Sequence, residues 1–363
     1  MNNVSFSTLF DFQKKSKIKA GDGLPLNEGS YPFYTSSNIL KKSINKFLFD
    51  GNSLIFGTGG SASVHYCNER FAVSTDCFVT QPKNNDEIFL KCIYYFLSGN
   101  IHILENGFKG AGLKHISKGY LSDVKIPLPP LDQQKKIAAI LDAADAYRQK
   151  TKALIEKYDE LTQSLFLDMF GDDTGTLTEL GKVIKTVGGG TPSKDNEQYW
   201  NGNIPWASVK DLKSDRLTKT QDFITQSGVD NSATRVVPNG SLIVATRMAV
   251  GRAVICEMDV AINQDLKAIQ TIGKINITYL LYLFKSKKNY FDSVSSGATV
   301  KGIKIEHITK LKVNLPNYSK QNQFADSVQA IETQKAQAQA SLAQAEDLFN
   351  SLLQRAFKGE LTA

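Results

Sequence analysis

A chain of 363 residues, 41% hydrophobic and 22% charged, has the composition of a globular protein with room for two domains of ordinary size. No apolar run reaches membrane-spanning length and no charged-then-apolar leader opens the chain, so no membrane partner is expected and the cytoplasm is the expected location. A net charge of +7 and a pI of about 9.0 fit a nucleic-acid partner without demanding one, and four scattered cysteines with no CxxC pair (Cys67, Cys77, Cys92, Cys256) argue against structural zinc and a disulfide framework.

In chain order the sequence reads as a module, a long helix, a second module and a second long helix. The first module, 1–130, contains short strand-like runs at Ser53–Phe56, Ala72–Val79 and Val124–Leu128 and a short helix at Glu87–Leu97. Its most conspicuous loop, Gly57-Thr58-Gly59-Gly60-Ser61-Ala62-Ser63, follows a strand and offers backbone amides that could cradle a phosphate. It lacks the Lys-Ser/Thr ending of a nucleotide-binding P-loop, and a tight turn is the plainer reading. A second loop carries Lys109, Lys114 and His115.

The module ends at a hinge, PLPPLDQQKKIAAILD, where Pro127, Pro129 and Pro130 stop whatever precedes them. Asp132 is the expected N-cap of a helix within 131–172 that meets no Gly or Pro until Gly171. Its apolar residues repeat in heptads: Ile137, Ala144, Thr151, Tyr158 and Leu165 form one seam position, and Ile140, Tyr147, Leu154 and Leu161 are expected at the second. The second module, 173–317, carries strand-like runs at Ser241–Ala245, Ala253–Cys256 and Leu311–Leu315 and a short helix at Ile277–Phe284. Its loops bear Arg247 and Arg252, suited to phosphates or a guanine edge. Lys301 stands on another loop, and a glycine-rich stretch with Lys194 could line a groove together with Trp206, Ser208 and Lys210 or serve as a flexible entry. The last helix, 318–363, has Ser319 as its expected N-cap, seam positions Phe324, Ile331, Ala338, Ala345 and Leu352, and companions Val328, Leu342 and Phe349.

The two halves are copies. Gly110–Pro129 and Gly297–Pro316 align without a gap, Gly297 lying 187 positions after Gly110, with Gly110/Gly297, Lys114/Lys301, Leu128/Leu315 and Pro129/Pro316 among the identities. The same offset carries Gln134 onto Gln321, and, with small gaps, Phe33 corresponds to Trp206, Ala72 to Ala261 and Asp76 to Asp265. Lys114 and Lys301 are thus candidates for a shared phosphate contact. Neither apolar seam can stay exposed, so the helices are expected to pair antiparallel with Ile137 near Leu352, Thr151 near Ala338 and Leu165 near Phe324. Paired loops with similar placement and different side chains read as two readers of different sequences.

Signatures of catalysis are missing from the pattern. The histidines (His65, His102, His115, His307) have no metal-ligand spacing, no metal is expected, and there is no GxSxG, HExxH or P-loop. Asp76 and Asp265 are single acids better suited to caps or turns.

IPLPPLDQQKKIAAILD with its long helix, LFLDMFGD, LLQRAFKGEL, GTGGSASVHY, KGAGLKHIS and ATRMAVGR together resemble the DNA specificity subunit of type I restriction-modification systems, over essentially the whole chain. The second hinge, NLPNYSKQNQF, departs from the pattern in lacking the double proline. The resemblance implies an α+β chain in which two mixed α/β target-recognition domains are separated by two long helices forming an antiparallel coiled coil, related by an internal pseudo-two-fold repeat. It implies that each domain reads half of a split, asymmetric site in double-stranded DNA. It further implies that the helices set the gap and dock two methyltransferase subunits, and that restriction/translocase subunits join this core. The subunit itself would catalyse nothing and hold no cofactor; S-adenosylmethionine, ATP and magnesium would belong to its partners. The DNA-contact candidates on this reading are Gly59, Gly60, Ser61, Lys109, Lys114, His115, Lys194, Ser208, Lys210, Arg247, Arg252 and Lys301. Two other readings compete: a stand-alone enzyme binding a nucleotide or cofactor at GTGGSAS, and a coiled-coil scaffold whose modules bind protein.

Overall fold

In a computed structural model the chain is described at residues 2–171 and 177–361; the expected boundary between the first long helix and the second module, at 172–173, lies outside the described residues. Four helices organise it: α1 (Leu90–Gly99), α2 (Leu131–Phe170), α3 (Ile277–Ser286) and α4 (Tyr318–Lys358). The chain divides into two compact units, and the division cuts both long helices. Unit 1 comprises residues 1–153 and 338–363, unit 2 residues 154–337. Each unit is therefore one module, one half of its own long helix and one half of the other.

In unit 1 an antiparallel sheet runs in the order Phe10–Phe12, Cys77–Pro82, Ser53–Gly57, Val64–Cys67. A second sheet contains Lys42–Ile44, Tyr31–Tyr34, Arg70–Val73 and Phe49–Asp50, with Phe33 paired in parallel to Ala72. Unit 2 repeats this plan. Ile184–Gly188, Leu266–Thr271, Leu242–Ala245 and Ala253–Cys256 form the first sheet, which Arg216–Leu217 extends as a parallel edge strand. Asp222–Ile224, Trp200–Ala207, Val260–Ile262 and Arg235–Val237 form the second, where Trp206 pairs in parallel to Ala261. The weak upstream echo in the sequence is thus the same parallel pair occurring twice. One expected strand is corrected: Ala72–Val79 is two strands, Arg70–Val73 and Cys77–Pro82, in different sheets. Alternation hides the break, but the Ser74 hydroxyl accepts from the Asp76 amide and turns the chain between them.

The cores are apolar and continuous with the helices. In unit 1, Phe6, Leu54, Phe56, Ile93 and Leu97 are buried together. A second cluster joins Cys92 and Tyr95 of α1 to Ile137 and Leu141 of α2 and to Phe349, Leu353 and Ala356 of α4. Burial pushes the Cys92 thiol up to about 12 and the Cys77 thiol to about 11, and all four cysteines are buried and unpaired to one another. In unit 2, Phe166, Tyr279, Tyr282 and Phe324 share one cluster.

Within unit 1 the start of α2 meets the end of α4: Arg148 lies 4.2 Å from the Phe349 ring centroid, and Lys152 pairs with Glu346 at 3.1 Å. Within unit 2 the end of α2 meets the start of α4, with Phe166 and Phe324 rings 5.4 Å apart and Lys335 paired with Asp159. The pair is antiparallel. Along the seam Ile137, Thr151, Phe324, Ala338 and Ala345 are buried, and Ala144, Tyr158, Leu165, Ile331 and Leu352 half-buried. The companion positions on α2 are one residue later than expected. Leu141 and Thr162 are buried and Ile155 half-buried, while Tyr147, Leu154 and Leu161 are exposed. Steps of three and four both return near the same face, and side-chain type alone cannot choose between them. The choice made here is the one that matches Val328, Leu342 and Phe349 on α4. The hydroxyls of Thr151 and Thr162 enter the seam without penalty because each donates to the carbonyl four residues earlier, on Tyr147 and Tyr158, at 2.9 Å.

The hinges are built alike around a buried glutamine. Gln134 Oε1 accepts from the Phe89 amide at 2.8 Å, and Nε2 donates to Glu87 O and Pro129 O. Gln321 Oε1 accepts from the Asn276 amide at 2.9 Å, and Nε2 donates to Pro316 O. Each glutamine thus ties its helix start to the hinge proline and to the entry of the module's short helix. The expected caps are corrected. Asp132 lies inside the first turn, where its charge favours the helix dipole, and the Pro130 carbonyl receives the first amides. At the second hinge Asn317, not Ser319, caps α4 by accepting from the Lys320 amide at 2.8 Å.

Candidate nucleic-acid interface

Each module exposes two loops that its own backbone locks together. In the first, the Thr58 amide donates to Asp76 O at 2.9 Å as the chain leaves Ser53–Gly57, and the Ile116 amide donates back to Thr58 O at 3.2 Å. Lys109 and His115 exchange both backbone bonds, closing a tip in which Gly110 has φ +148° and a Cβ would sit 2.6 Å from Leu113 O. The His115 ring nitrogen Nδ1 lies 3.1 Å from Thr58 O, so Gly59, Gly60, Ser61, Lys109, Lys114 and His115 come together on one face. Lys109, Lys114, His115, Gly60 and Ser61 are exposed.

The second module repeats the bonding with other side chains. The Thr246 amide donates to Asp265 O at 2.8 Å, the Ile303 amide to Thr246 O at 2.8 Å, and Ser296 and Gly302 exchange both backbone bonds. Asp76 and Asp265 hold these turns through their carbonyls. The Asp265 carboxylate, mostly buried, does a second job by pairing with the exposed Arg247 at 3.4 Å. The Met248 amide donates to Lys301 O at 3.1 Å. Met248 itself has φ +65°, a left-handed conformation that costs a non-glycine residue about 1–3 kcal/mol.

Two clefts flank this loop in unit 2. One, about 520 Å³, is lined by Lys194, Trp200, Trp206, Ser208, Lys210 and Asp265, among others. The other, about 470 Å³, contains Met248, Arg252, Lys285, Lys288 and Lys301. Arg247 thus joins the first group through Asp265, whereas Arg252 and Lys301 face the second. Several candidates already have internal partners. Ser208 donates to Asp211 at 3.1 Å, Lys210 pairs with Asp222 at 2.7 Å and is raised in pKa chiefly by that bond, and Arg252 donates to Lys213 O at 2.9 Å. Lys194 is exposed at the cleft mouth.

The glycine-rich stretch is not a slack linker. A Cβ on Gly189 would stand 2.1 Å from Ile262 O, and one on Gly190 would stand 2.6 Å from the Ala233 carbonyl carbon. Both clashes are with backbone, so Gly189→Ala is expected to destabilise unit 2 by about 1–3 kcal/mol in urea denaturation. The sequence left Met248 and Trp200 unmarked. Trp200 meets Trp206 edge-on at 5.1 Å, and its spacing from Trp206 is the signal that could have found it.

The GTGGSAS loop is poorly made for a nucleotide. The amides of Gly57 and Thr58 are taken by Ser63 O and Asp76 O, and a strand, Val64–Cys67, follows where a phosphate-binding loop would lead into a helix. No group of three or more His, Cys, Asp or Glu side chains among the described residues could hold a metal ion, and no helix of the described residues is long and apolar enough to cross a membrane.

The type I restriction modification DNA specificity domain matches residues 1–158 and 173–346. The chain is 25% identical to the EcoR124I/EcoR124II specificity subunit of Escherichia coli, over 69% of this chain and 65% of that protein, so the match spans a little under two thirds of that relative's length. It is 24% identical to the EcoDI specificity subunit of the same organism, over 93% of this chain and 84% of that one. The fold matches the crystal structure of a type I restriction-modification S subunit from M. genitalium with a TM-score of 0.60 at 18% identity, covering 98% of this chain and 96% of that one.

Proposed function

Because the chain belongs to the type I restriction-modification DNA specificity family, we propose that it reads a split, asymmetric site in double-stranded DNA, module 1 contacting one half and module 2 the other. One observation carries this reading: the same pair of loops occurs twice, held by the same backbone bonds, with Gly59, Gly60 and His115 in one copy and Arg247, Met248 and Gly302 in the other. Identical scaffolds with different side chains are what two readers of different sequences require. Exposed Lys109, Lys114, Lys194, Arg247, Arg252 and Lys301 supply phosphate or base-edge contacts.

The long helices set the distance between the halves and offer partners a surface. α2 leaves Tyr147 exposed in unit 1 and Leu154, Leu161 and Leu167 exposed in unit 2. The corresponding positions of α4 are Gln334, Ser341, Leu348 and Gln354, so the apolar outer face belongs mainly to α2. That face is suited to methyltransferase subunits, with restriction/translocase subunits joining the assembly. On this reading the chain supplies recognition in the cytoplasm, and chemistry with S-adenosylmethionine, ATP and magnesium takes place on the partners.

Selection from randomised duplexes tests the proposal. The full chain should enrich two short conserved blocks at fixed spacing. Arg247→Ala and Arg252→Ala should each relax only one block, and Lys109→Ala should flatten the logarithmic salt dependence of binding by about 0.9 if it holds one phosphate. Enrichment of a single block, or none, overturns the reading.

A further inference from the structure

We propose that Met248 is a base-reading side chain of the second module, making an apolar contact to the 5-methyl group of a thymine in the major groove; the assignment rests on module 2 being a DNA reader. The internal copy supplies the first observation. Two residues after the threonine whose amide bonds to the aspartate carbonyl, both modules need a left-handed residue: Gly60 at φ +81° in module 1, Met248 at φ +65° in module 2. Glycine takes that conformation freely and methionine does not. The fold alone would favour glycine at both places, so the methionine side chain is retained for something outside the fold.

Its surroundings say what. Met248 is 67% exposed, the most exposed large apolar side chain of unit 2 among the described residues. It is not among the buried residues that form the cores of unit 2. Its amide is tied to Lys301 O at 3.1 Å, so the loop tip is held against the neighbouring loop. Exposed Arg247 precedes it, and exposed Lys301 stands across that bond. A polarisable thioether with no donor, set between two cations, suits a nucleic-acid edge that carries an apolar group next to phosphates. On the major-groove edge of unmodified DNA that group is the thymine methyl.

The test removes the methyl from the DNA and the thioether from the protein. Full-length wild type, Met248→Gly and Met248→Leu are titrated with the duplex that wild type enriches, and with versions carrying uracil in place of each thymine in turn. In the block that Arg247→Ala relaxes, one uracil substitution should weaken wild-type binding about ten-fold. Met248→Gly should bind the thymine and uracil duplexes alike, with a melting temperature no lower than wild type, and Met248→Leu should keep most of the discrimination. Full retention of thymine preference by Met248→Gly overturns the assignment, as does insensitivity to every uracil or equal loss in both blocks. A wild-type chain that enriches no two-block sequence overturns the DNA-reading proposal itself. Two-block enrichment without any uracil effect overturns only the role of Met248.

Discussion

Truncating Phe324 to alanine is expected to destabilise unit 2 by about 3–5 kcal/mol. The ring is fully buried and lies 5.4 Å from Phe166, 5.5 Å from Phe170 and 5.3 Å from Tyr282, each crossing steeply. These contacts join the start of α4 to the end of α2 and to the module's short helix α3. Truncation therefore opens a cavity where three helices meet, in surroundings packed closely enough to refill it only in part. The corresponding residue in unit 1 is Ile137, which is also fully buried but smaller, and Ile137→Ala is expected to cost about 2–4 kcal/mol. Urea denaturation followed by aromatic fluorescence and by far-ultraviolet dichroism checks both. A shift for Phe324→Ala below about 1 kcal/mol would mean that the aromatic cluster is not the joint between helices and module.

Gln134→Leu is expected to cost about 2–4 kcal/mol in spite of its near-equal size. Leucine leaves the Phe89 amide without its acceptor and Glu87 O and Pro129 O without their donor, at a site where the glutamine is fully buried. The stability loss is half of the expectation. The same three bonds tie the module to the start of its helix. On the DNA-reading proposal, the variant should therefore tolerate spacers one base pair longer or shorter than wild type does, while the base preferences within each block persist. Gln321→Leu should act likewise through Asn276 and Pro316. Unchanged spacing in a variant shown to be folded would confine the glutamine to a stabilising role.

The repeat was legible because it is written in residue types: the prolines and lysines of the hinges and the glutamines behind them. The seam period was legible too, and its face only in part. Leu154, Leu161 and Tyr147 are apolar yet exposed, since a helix with two apolar faces does not declare which one meets its partner helix. The turn at Ser74 escaped notice because Val73, Thr75 and Cys77 continue the alternation of a strand. On the interface, the exposed lysines and arginines could be chosen by charge. The pairing of Lys210 with Asp222 and of Ser208 with Asp211 depends on loops closing over eleven or fewer intervening residues in ways that no residue pattern specifies. The Met248 backbone conformation is invisible in one dimension, although its alignment with Gly60 held the clue.

The division that cuts both long helices has a consequence for the order in which the protein can be made. Unit 2 is one uninterrupted segment, 154–337, and can close as soon as that segment has left the ribosome. Unit 1 needs residues from 338 onward to cover Tyr95, Ile137 and Leu141 with Phe349, Leu353 and Ala356. At about 5–20 residues per second, the first module waits on the order of 10–40 s with that apolar strip uncovered. The part of the chain synthesised first is the last to be finished.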